Sequence, residues 1–175
     1  MNGTIISGFP GIGKTTISKK YPNEVIDIES SDYKWVYFDE EILYQDPELI
    51  KGTENRVLNP NWPNNYLEAI LLNAQQYKYV LIVQGEDIRN LLDAKQLDYL
   101  LAFPSIQCKS EYVERYRARR NNEKFINQIE KCFDIWIENL QKSPHRKIII
   151  KPGHTLEDEM LDLGMIGPNS RIDDR

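Results

Sequence analysis

Residues 8–15 read Gly-Phe-Pro-Gly-Ile-Gly-Lys-Thr, which fits the phosphate-loop pattern G-x-x-x-x-G-K-[ST] and is called the glycine loop below. An apolar run at residues 4–6 predicts a buried strand before it, and residues 15–20 predict the start of a helix after it. In that order, strand, loop and helix N-terminus direct backbone amides and the helix dipole toward one anion. The pattern therefore predicts a triphosphate site and disfavours an ordinary glycine-rich turn beside a surface lysine.

The positions of the glycine loop have distinct expected roles. Its glycines supply backbone angles and clearance that a Cβ atom would obstruct. Lys14 is expected to reach the β- and γ-phosphates of ATP, and the hydroxyl of Thr15 is expected to ligate Mg²⁺. The predicted nucleotide contacts in and beside the loop are Gly8, Gly11, Ile12, Gly13, Lys14, Thr15 and Thr16.

Apolar runs alternate along the rest of the chain and predict one α/β domain over residues 1–175. Such an alternation favours a five-stranded, mainly parallel sheet with helices on both faces and ligands beyond the carboxyl ends of its strands. Further strands are predicted at residues 24–29, 79–83, 99–103 and 147–150. Further helices are predicted at residues 64–74, 88–95, 110–119 and 124–141, and in a short segment capped by Thr155.

Bulk composition limits the partners and the compartment of the chain. The net charge is −5, which weighs against a nucleic-acid polymer because such partners require a basic surface. No apolar run is long enough to span a membrane, and no secretion leader is evident at the N-terminus. Cys108 and Cys132 are too few for a disulfide framework. We therefore expect a cytoplasmic protein without a membrane partner.

Two carboxylates end the second predicted strand and point to the same face. One of them could hold Mg²⁺ through water or accept a proton from an attacking hydroxyl, while the other could orient the acceptor; two solvated carboxylates are the alternative. Asp27 is accordingly a candidate metal and catalytic residue, and Glu29 is a candidate acceptor contact. Ser31 could bond an acceptor phosphate, although capping of a helix is nearly as good an interpretation.

Residues 30–66 are rich in aromatic side chains but have no regular periodicity apart from a short helix predicted at residues 40–44. An irregular stretch of this length inside a compact domain is more often functional than idle, so it is the predicted acceptor-binding region. Trp35, Tyr37 and Phe38 could stack on a nucleobase, and Trp35 is the candidate contact. Packing into a local core is the more common role of aromatic side chains in loops.

An arginine follows the central predicted strand at the ligand edge of the sheet. Arg89 could clamp an acceptor phosphate through two hydrogen bonds. The alternative is an ion pair with Asp93, which lies four residues further along the predicted helix.

Two more arginines share one face of the helix predicted at residues 110–119. Arg115 and Arg119 repel each other at this spacing and therefore need a compensating anion. They are expected to stabilise a transferring phosphoryl group as part of a lid at residues 109–122. A solvated helix whose arginines pair with Glu111 and Glu114 is the alternative.

The chain resembles the P-loop nucleoside-monophosphate-kinase-like proteins that bacteriophages often encode. The resemblance covers nearly the whole chain and rests on residues 8–15, 26–31, 59–66, 111–116 with Arg119, and 151–153. It implies a three-layer P-loop NTPase fold like that of adenylate and shikimate kinases, with strand order 2-3-1-4-5 and a helical lid. It also implies an acceptor-phosphate role for Arg89, a location in the host cytoplasm, and an adenine-side loop at Lys151, Pro152 and Gly153.

The expected activity is ATP- and Mg²⁺-dependent phosphoryl transfer to a small acceptor, most simply a nucleoside or deoxynucleoside monophosphate. The chain departs from the family pattern at Glu29, where Asp is more usual, and at residues 83–86, which lack the usual Ser-Thr-His run. A kinase for a polynucleotide 5′-end or another metabolite, and a non-catalytic ATP-binding switch, are the alternatives. The expected catalytic residues are Lys14, Asp27, Arg89, Arg115 and Arg119.

Overall fold

A computed structural model describes residues 3–37 and 56–167 of the chain. The strands within this part are β1 (Thr4–Gly8), β2 (Val25–Asp27), β3 (Trp35–Tyr37), β4 (Arg56–Leu58), β5 (Tyr79–Val83), β6 (Tyr99–Pro104) and β7 (Lys147–Ile150). The helices are α1 (Lys14–Lys20), α2 (Ser31–Lys34), α3 (Asn64–Asn73), α4 (Glu86–Ala94), α5 (Lys109–Ala118), α6 (Glu123–Lys142) and α7 (Leu156–Asp162). None of these helices is long and apolar enough to cross a membrane.

Five of the strands form one parallel sheet flanked by helices, as the alternating apolar runs predict. The strand order across this sheet is β2-β5-β1-β6-β7, which differs in numbering from the predicted 2-3-1-4-5. The difference arises because two strands that the sequence did not predict, β3 and β4, lie between β2 and β5 in the chain. When only the strands of the large sheet are counted, they stand second, third, first, fourth and fifth.

The predicted irregular region of residues 30–66 contains regular structure. β3 and β4 pair antiparallel in a small separate sheet, in which Trp35 lies opposite Leu58. The short helix α2 precedes β3, and Ser30 at its N-cap makes no side-chain capping bond. The predictions for Phe38 and for a helix at residues 40–44 lie outside the described residues.

Continuous apolar runs give the central strands of the large sheet. β5 and β7 have the predicted bounds, and the side chains of β1, β5 and β6 are buried almost throughout. Helix α6 covers one face of the sheet because its apolar side chains recur every three or four residues. Its buried side chains are Ile126, Ile129, Phe133, Ile137 and Leu140. The predicted Thr155 cap is confirmed as a full capping box with Asp158 at the start of α7.

Tyr66 links the carboxyl ends of the neighbouring strands β2 and β5. Its ring is fully buried, and its hydroxyl donates to the carbonyl oxygen of Ile28 at 2.7 Å. The same hydroxyl accepts from the amide of Val83 at 3.2 Å. One side chain thus satisfies two backbone groups where β2 and β5 diverge, and so fixes the spacing of the strand ends beside the glycine loop.

Replacing Tyr66 by Phe should lower the free energy of unfolding by about 1–3 kcal/mol, because a buried carbonyl and a partly buried amide both lose this partner. Urea denaturation monitored by circular dichroism measures this change. Tyr33→Phe is a matched control: its ring packs 5.3 Å from that of Tyr66, and its hydroxyl makes no hydrogen bond within the described part of the chain. Equal unfolding midpoints for the two variants would contradict the bridging role.

Candidate functional site

Three consecutive carbonyl groups of the glycine loop, at residues 10–12, are held by flanking parts of the protein. The Pro10 oxygen accepts from the hydroxyl of Tyr116 at 2.6 Å, and the Gly11 oxygen accepts from Nη1 of Arg115 at 2.6 Å. The Ile12 oxygen accepts from the amide of Leu156 at 2.9 Å. Helix α5 therefore holds the loop from one side, and the start of α7 holds it from the other.

The amides of the same loop are left without acceptors. Among the residues that the structure describes, none of the backbone N–H groups of residues 11–16 donates to a protein atom. Each peptide N–H points away from the preceding carbonyl, so the amides of residues 11–13 face away from these partners. The amides of residues 14–16 belong to the first turn of α1. Several unpaired amides around the first turn of a helix are ready-made donors to an anion.

The Lys14 side chain folds back to the first residue of the glycine loop. Its Nζ donates to the Gly8 carbonyl oxygen at 3.3 Å. Burial lowers the pKa of Lys14 below its ordinary value, and the charge of Arg119 lowers that pKa further. Asp27 and Glu29 act in the opposite direction and raise it. The four predicted site residues therefore share one electrostatic environment, in which a desolvated ammonium group gains from an added anion.

Thr15 and Asp27, the predicted metal-binding pair, meet beside the loop. The Thr15 hydroxyl donates to Oδ2 of Asp27 at 2.7 Å. The amide of Asp27 in turn donates to Oγ of Ser18 at 3.3 Å, which links the end of β2 to α1. A hydroxyl and a carboxylate oxygen are the hard ligands that Mg²⁺ prefers, so this pair fits the ion.

Arg115 lies deeper than a solvated lid residue. Besides its bond to Gly11, its Nη2 donates to Oε1 of Glu111 at 2.6 Å, and its guanidinium lies 4.5 Å from the centre of the Tyr112 ring. The other carboxylate oxygen of Glu111 accepts from the amide of Gly153 at 3.0 Å. Glu111 thus joins the glycine loop, through Arg115, to the loop that follows β7.

The predicted lid, residues 109–122, has a packed part and an exposed part. Helix α5 buries Tyr112, Val113 and Tyr116 and packs on α6, so it forms part of the body of the domain. The exposed segment is the turn that follows it, which includes Arg119. The alternative pairing of Arg115 with Glu111 is present, and it coexists with the contact to the glycine loop.

A cavity of about 940 Å³ adjoins the glycine loop on the side of Phe9 and Pro10. Arg89 lines it, and the buried Nε of Arg89 has no hydrogen-bond partner among residues 3–37 and 56–167. Asp93, the alternative partner of Arg89, instead lies 3.0 Å from Nε2 of His145. An arginine with an unpaired buried nitrogen at a cavity wall is suited to bind an anionic ligand.

The predicted acceptor contacts after β2 lie outside this cavity. Oγ of Ser31 donates to Glu29 at 3.0 Å, and both residues stand at the edge of the site. Trp35 is half-buried, and the guanidinium of Arg56 lies 4.3 Å from its ring centre. The neighbour of Trp35, Lys34, does line the cavity. Its Nζ lies 5.6 Å from the Trp35 ring and 5.1 Å from the ring of Trp62.

In the loop after β7, the positive charge of Lys151 is paired with carboxylates of the following helix. Nζ of Lys151 lies 3.3 Å from both Glu159 Oε2 and Asp162 Oδ2, and these contacts raise the pKa of Lys151. His154, Glu159 and Asp162 lie close enough to form a metal-ligand cluster, but the Lys151 ammonium already supplies its positive charge. Pro152 and Gly153 are exposed beside it, and Gly153 meets α5 through the Glu111 bond described above.

Sequence reasoning missed Tyr116 and Glu111 as site residues. Tyr116 belongs to a helix whose arginines dominate the pattern, and its contact partner Pro10 lies 106 positions away in the chain. The spacing of four residues gives Glu111 only as a partner for Arg115. This spacing predicts the bond between Glu111 and Arg115 but not the bond between Glu111 and Gly153.

No protein-family model matches the chain, and no curated protein matches it. The chemistry of the site is therefore inferred from its own contacts, burial and charges. The group described above joins Lys14, Thr15, Asp27, Glu29 and Arg119 at one edge of the sheet. Arg89 lies in the adjoining cavity, and Arg115 holds the glycine loop.

Replacing Gly11 by Ala should destabilise the protein by about 1–3 kcal/mol, because the added Cβ combines a left-handed backbone with a close contact. Gly11 has φ +78°, and a Cβ there would lie 3.1 Å from the Tyr116 ring. Gly153→Ala separates these two causes, since Gly153 has φ +76° but a Cβ there would have no neighbouring atom within 4 Å. Thermal unfolding should show the larger loss for Gly11→Ala; equal losses would contradict tight packing of Tyr116 on the loop.

Proposed function

We propose that the protein is an ATP- and Mg²⁺-dependent kinase of the P-loop class that phosphorylates a small acceptor, most simply a nucleoside or deoxynucleoside monophosphate. One observation carries the proposal: the amides of residues 11–16 have no acceptor within the described chain, while the carbonyls of the same loop are held outward. Such a group of donors, with the ammonium of Lys14 beside it, is suited to the β- and γ-phosphates of a triphosphate.

The donor side would use the glycine loop and the Thr15–Asp27 pair. The loop amides and Lys14 would hold the phosphates, and the Thr15 hydroxyl, with Asp27 directly or through water, would hold Mg²⁺. The ion supplies neutralisation of the charge that develops between the β- and γ-phosphates. Arg119, whose charge already acts on Lys14, would face the transferring group, and Arg115 would keep the loop in place.

The acceptor side would be the cavity that adjoins Phe9 and Pro10. Arg89 and Lys34 provide positive charge there, and Glu86 is the one carboxylate among the described residues that line it. A hydroxyl acceptor needs a general base, whereas a phosphate monoester is already largely ionised at neutral pH and attacks without one. Because cations outnumber carboxylates in this lining, it favours a monophosphate acceptor over a sugar hydroxyl.

Transfer then requires alignment more than covalent help from the protein. An acceptor phosphate oxygen forms a bond to the γ-phosphorus while the bond from that phosphorus to the β,γ-bridging oxygen breaks, which yields ADP and a diphosphate. Arg89 would hold the acceptor phosphate, and Lys14 with Arg119 would offset the charge on the transferring oxygens. No protein side chain has to be covalently modified in this scheme.

A kinase for a polynucleotide 5′-end is the second candidate because cations and aromatic rings alternate beside the cavity. Lys34 lies between Trp35 and Trp62, and Arg56 covers the Trp35 ring. Interleaved aromatic and basic side chains are typical of surfaces that bind single strands. The acidic net charge of the chain and the cationic lining of the cavity make it the weaker candidate, since a 5′-hydroxyl needs a base.

The decisive experiment measures ADP release from Mg·ATP with a panel of ribo- and deoxynucleoside monophosphates, nucleosides and a DNA 5′-end. We expect turnover with one or a few monophosphates. Lys14→Met is the control: it should abolish transfer but should not lower the unfolding temperature, because it removes an ammonium whose pKa burial depresses.

The outcomes of this panel separate the candidates. Release only with the DNA 5′-end would favour the polynucleotide kinase. Binding of ATP without release for any acceptor would favour a non-catalytic switch. A Lys14→Met variant that kept full turnover would contradict the proposed donor site.

A further inference from the structure

Helix α6 forms a wall of the cavity beside the glycine loop, a role that goes beyond covering the sheet. Its buried stripe packs on the core, and two members of that stripe, Ile129 and Leu140, also line the cavity. A neighbouring set of less buried side chains on the helix lines the cavity as well. This set includes Gln128, Trp136 and Asn139. Trp136 is half-buried against the core, while Gln128 and Asn139 are exposed.

Two cationic side chains that line the cavity, Arg89 and Lys34, lie outside α6. Arg89 belongs to α4, and its buried Nε is unpartnered within the described part of the chain. The contact of His145 with Asp93 joins the segment after α6 to the end of α4. The ring of Tyr99 stacks on His145 at 4.0 Å and supports this junction. The two walls are thus tied together, with cations on one and an indole and amides on the other.

This division suits a ligand with two unlike ends. An anionic end fits between Arg89 and the glycine loop, where Phe9 and Pro10 also line the cavity. The other end then faces α6. An indole offers a large flat apolar surface, and the amide of Asn139, three residues further along the helix, offers both a donor and an acceptor.

We propose that α6 is the base-recognition wall of the acceptor site, where Trp136 packs against a flat heteroaromatic ring and Asn139 bonds to its polar edge. The inference rests on the proposed function, since it takes the cavity as the acceptor site. It deepens that function by assigning base recognition to α6 and not to the aromatic segment that follows β2. Trp136 and Asn139 are thereby specificity residues, and the acceptor is a base-bearing monophosphate and not a simple sugar phosphate.

Equilibrium dialysis without ATP tests this assignment independently of catalysis. The ligands are nucleoside monophosphates and ribose 5-phosphate, which shares their sugar and phosphate but has no base. The wild type should bind at least one monophosphate about fivefold or more tightly than ribose 5-phosphate, the lower end of the range for base–aromatic stacking. Trp136→Leu and Asn139→Leu should each reduce this ratio and should leave the affinity for ribose 5-phosphate nearly unchanged.

Asn127→Leu is the matched control, because Asn127 is exposed on the same helix but does not line the cavity. It should keep the wild-type ratio. Asn139→Leu keeps the test decisive if Trp136→Leu fails to fold, because Asn139 is exposed and lies outside the core. Equal binding of ribose 5-phosphate and every monophosphate by the wild type, or an undiminished ratio in both α6 variants, would overturn the assignment. This binding test uses no phosphate donor, so its result does not depend on transfer. If the proteins showed this binding pattern but the transfer assay failed, the kinase proposal would be contradicted and the assignment of base recognition to α6 would be retained.

Discussion

The orientation of the glycine loop depends on three hydrogen bonds to its carbonyl oxygens. Tyr116, Arg115 and Leu156 each hold one carbonyl outward, and the loop amides then have no acceptor within the described chain. Leaving so many donors unpaired is unfavourable unless water or a ligand meets them. The surrounding helices therefore hold these amides in an arrangement that would let an anion bind without reorganising the loop, as the proposed function requires.

Further contacts connect distant parts of the chain to the glycine loop. Arg115 also bonds to Glu111, whose second oxygen accepts from Gly153, so two side chains link the loop after β7 to the glycine loop. On the other side of the glycine loop, Phe9 and Pro10 line the cavity that holds Arg89. The proposed donor and acceptor sites thus share the loop as a common wall.

Local patterns in the sequence predicted the parts of the structure that depend on neighbours in the chain. The apolar run at Tyr79–Val83 and the Thr155 cap could be placed because each depends on adjacent residues. The β3–β4 pair was missed because its two short strands lie far apart in the sequence and are largely solvent-facing. The cavity wall on α6 depends on where α4 lies, and the periodicity of α6 alone gives only the face that packs on the sheet.

The most direct test of this account follows hydrogen exchange at the backbone amides of residues 11–16 with and without a Mg²⁺-bound, non-hydrolysable ATP analogue. We expect strong protection of these amides on binding, while the contacts of Tyr116 and Arg115 with the loop carbonyls persist. Nucleotide binding that leaves the exchange of these amides unchanged would contradict the assignment of the loop as the phosphate site.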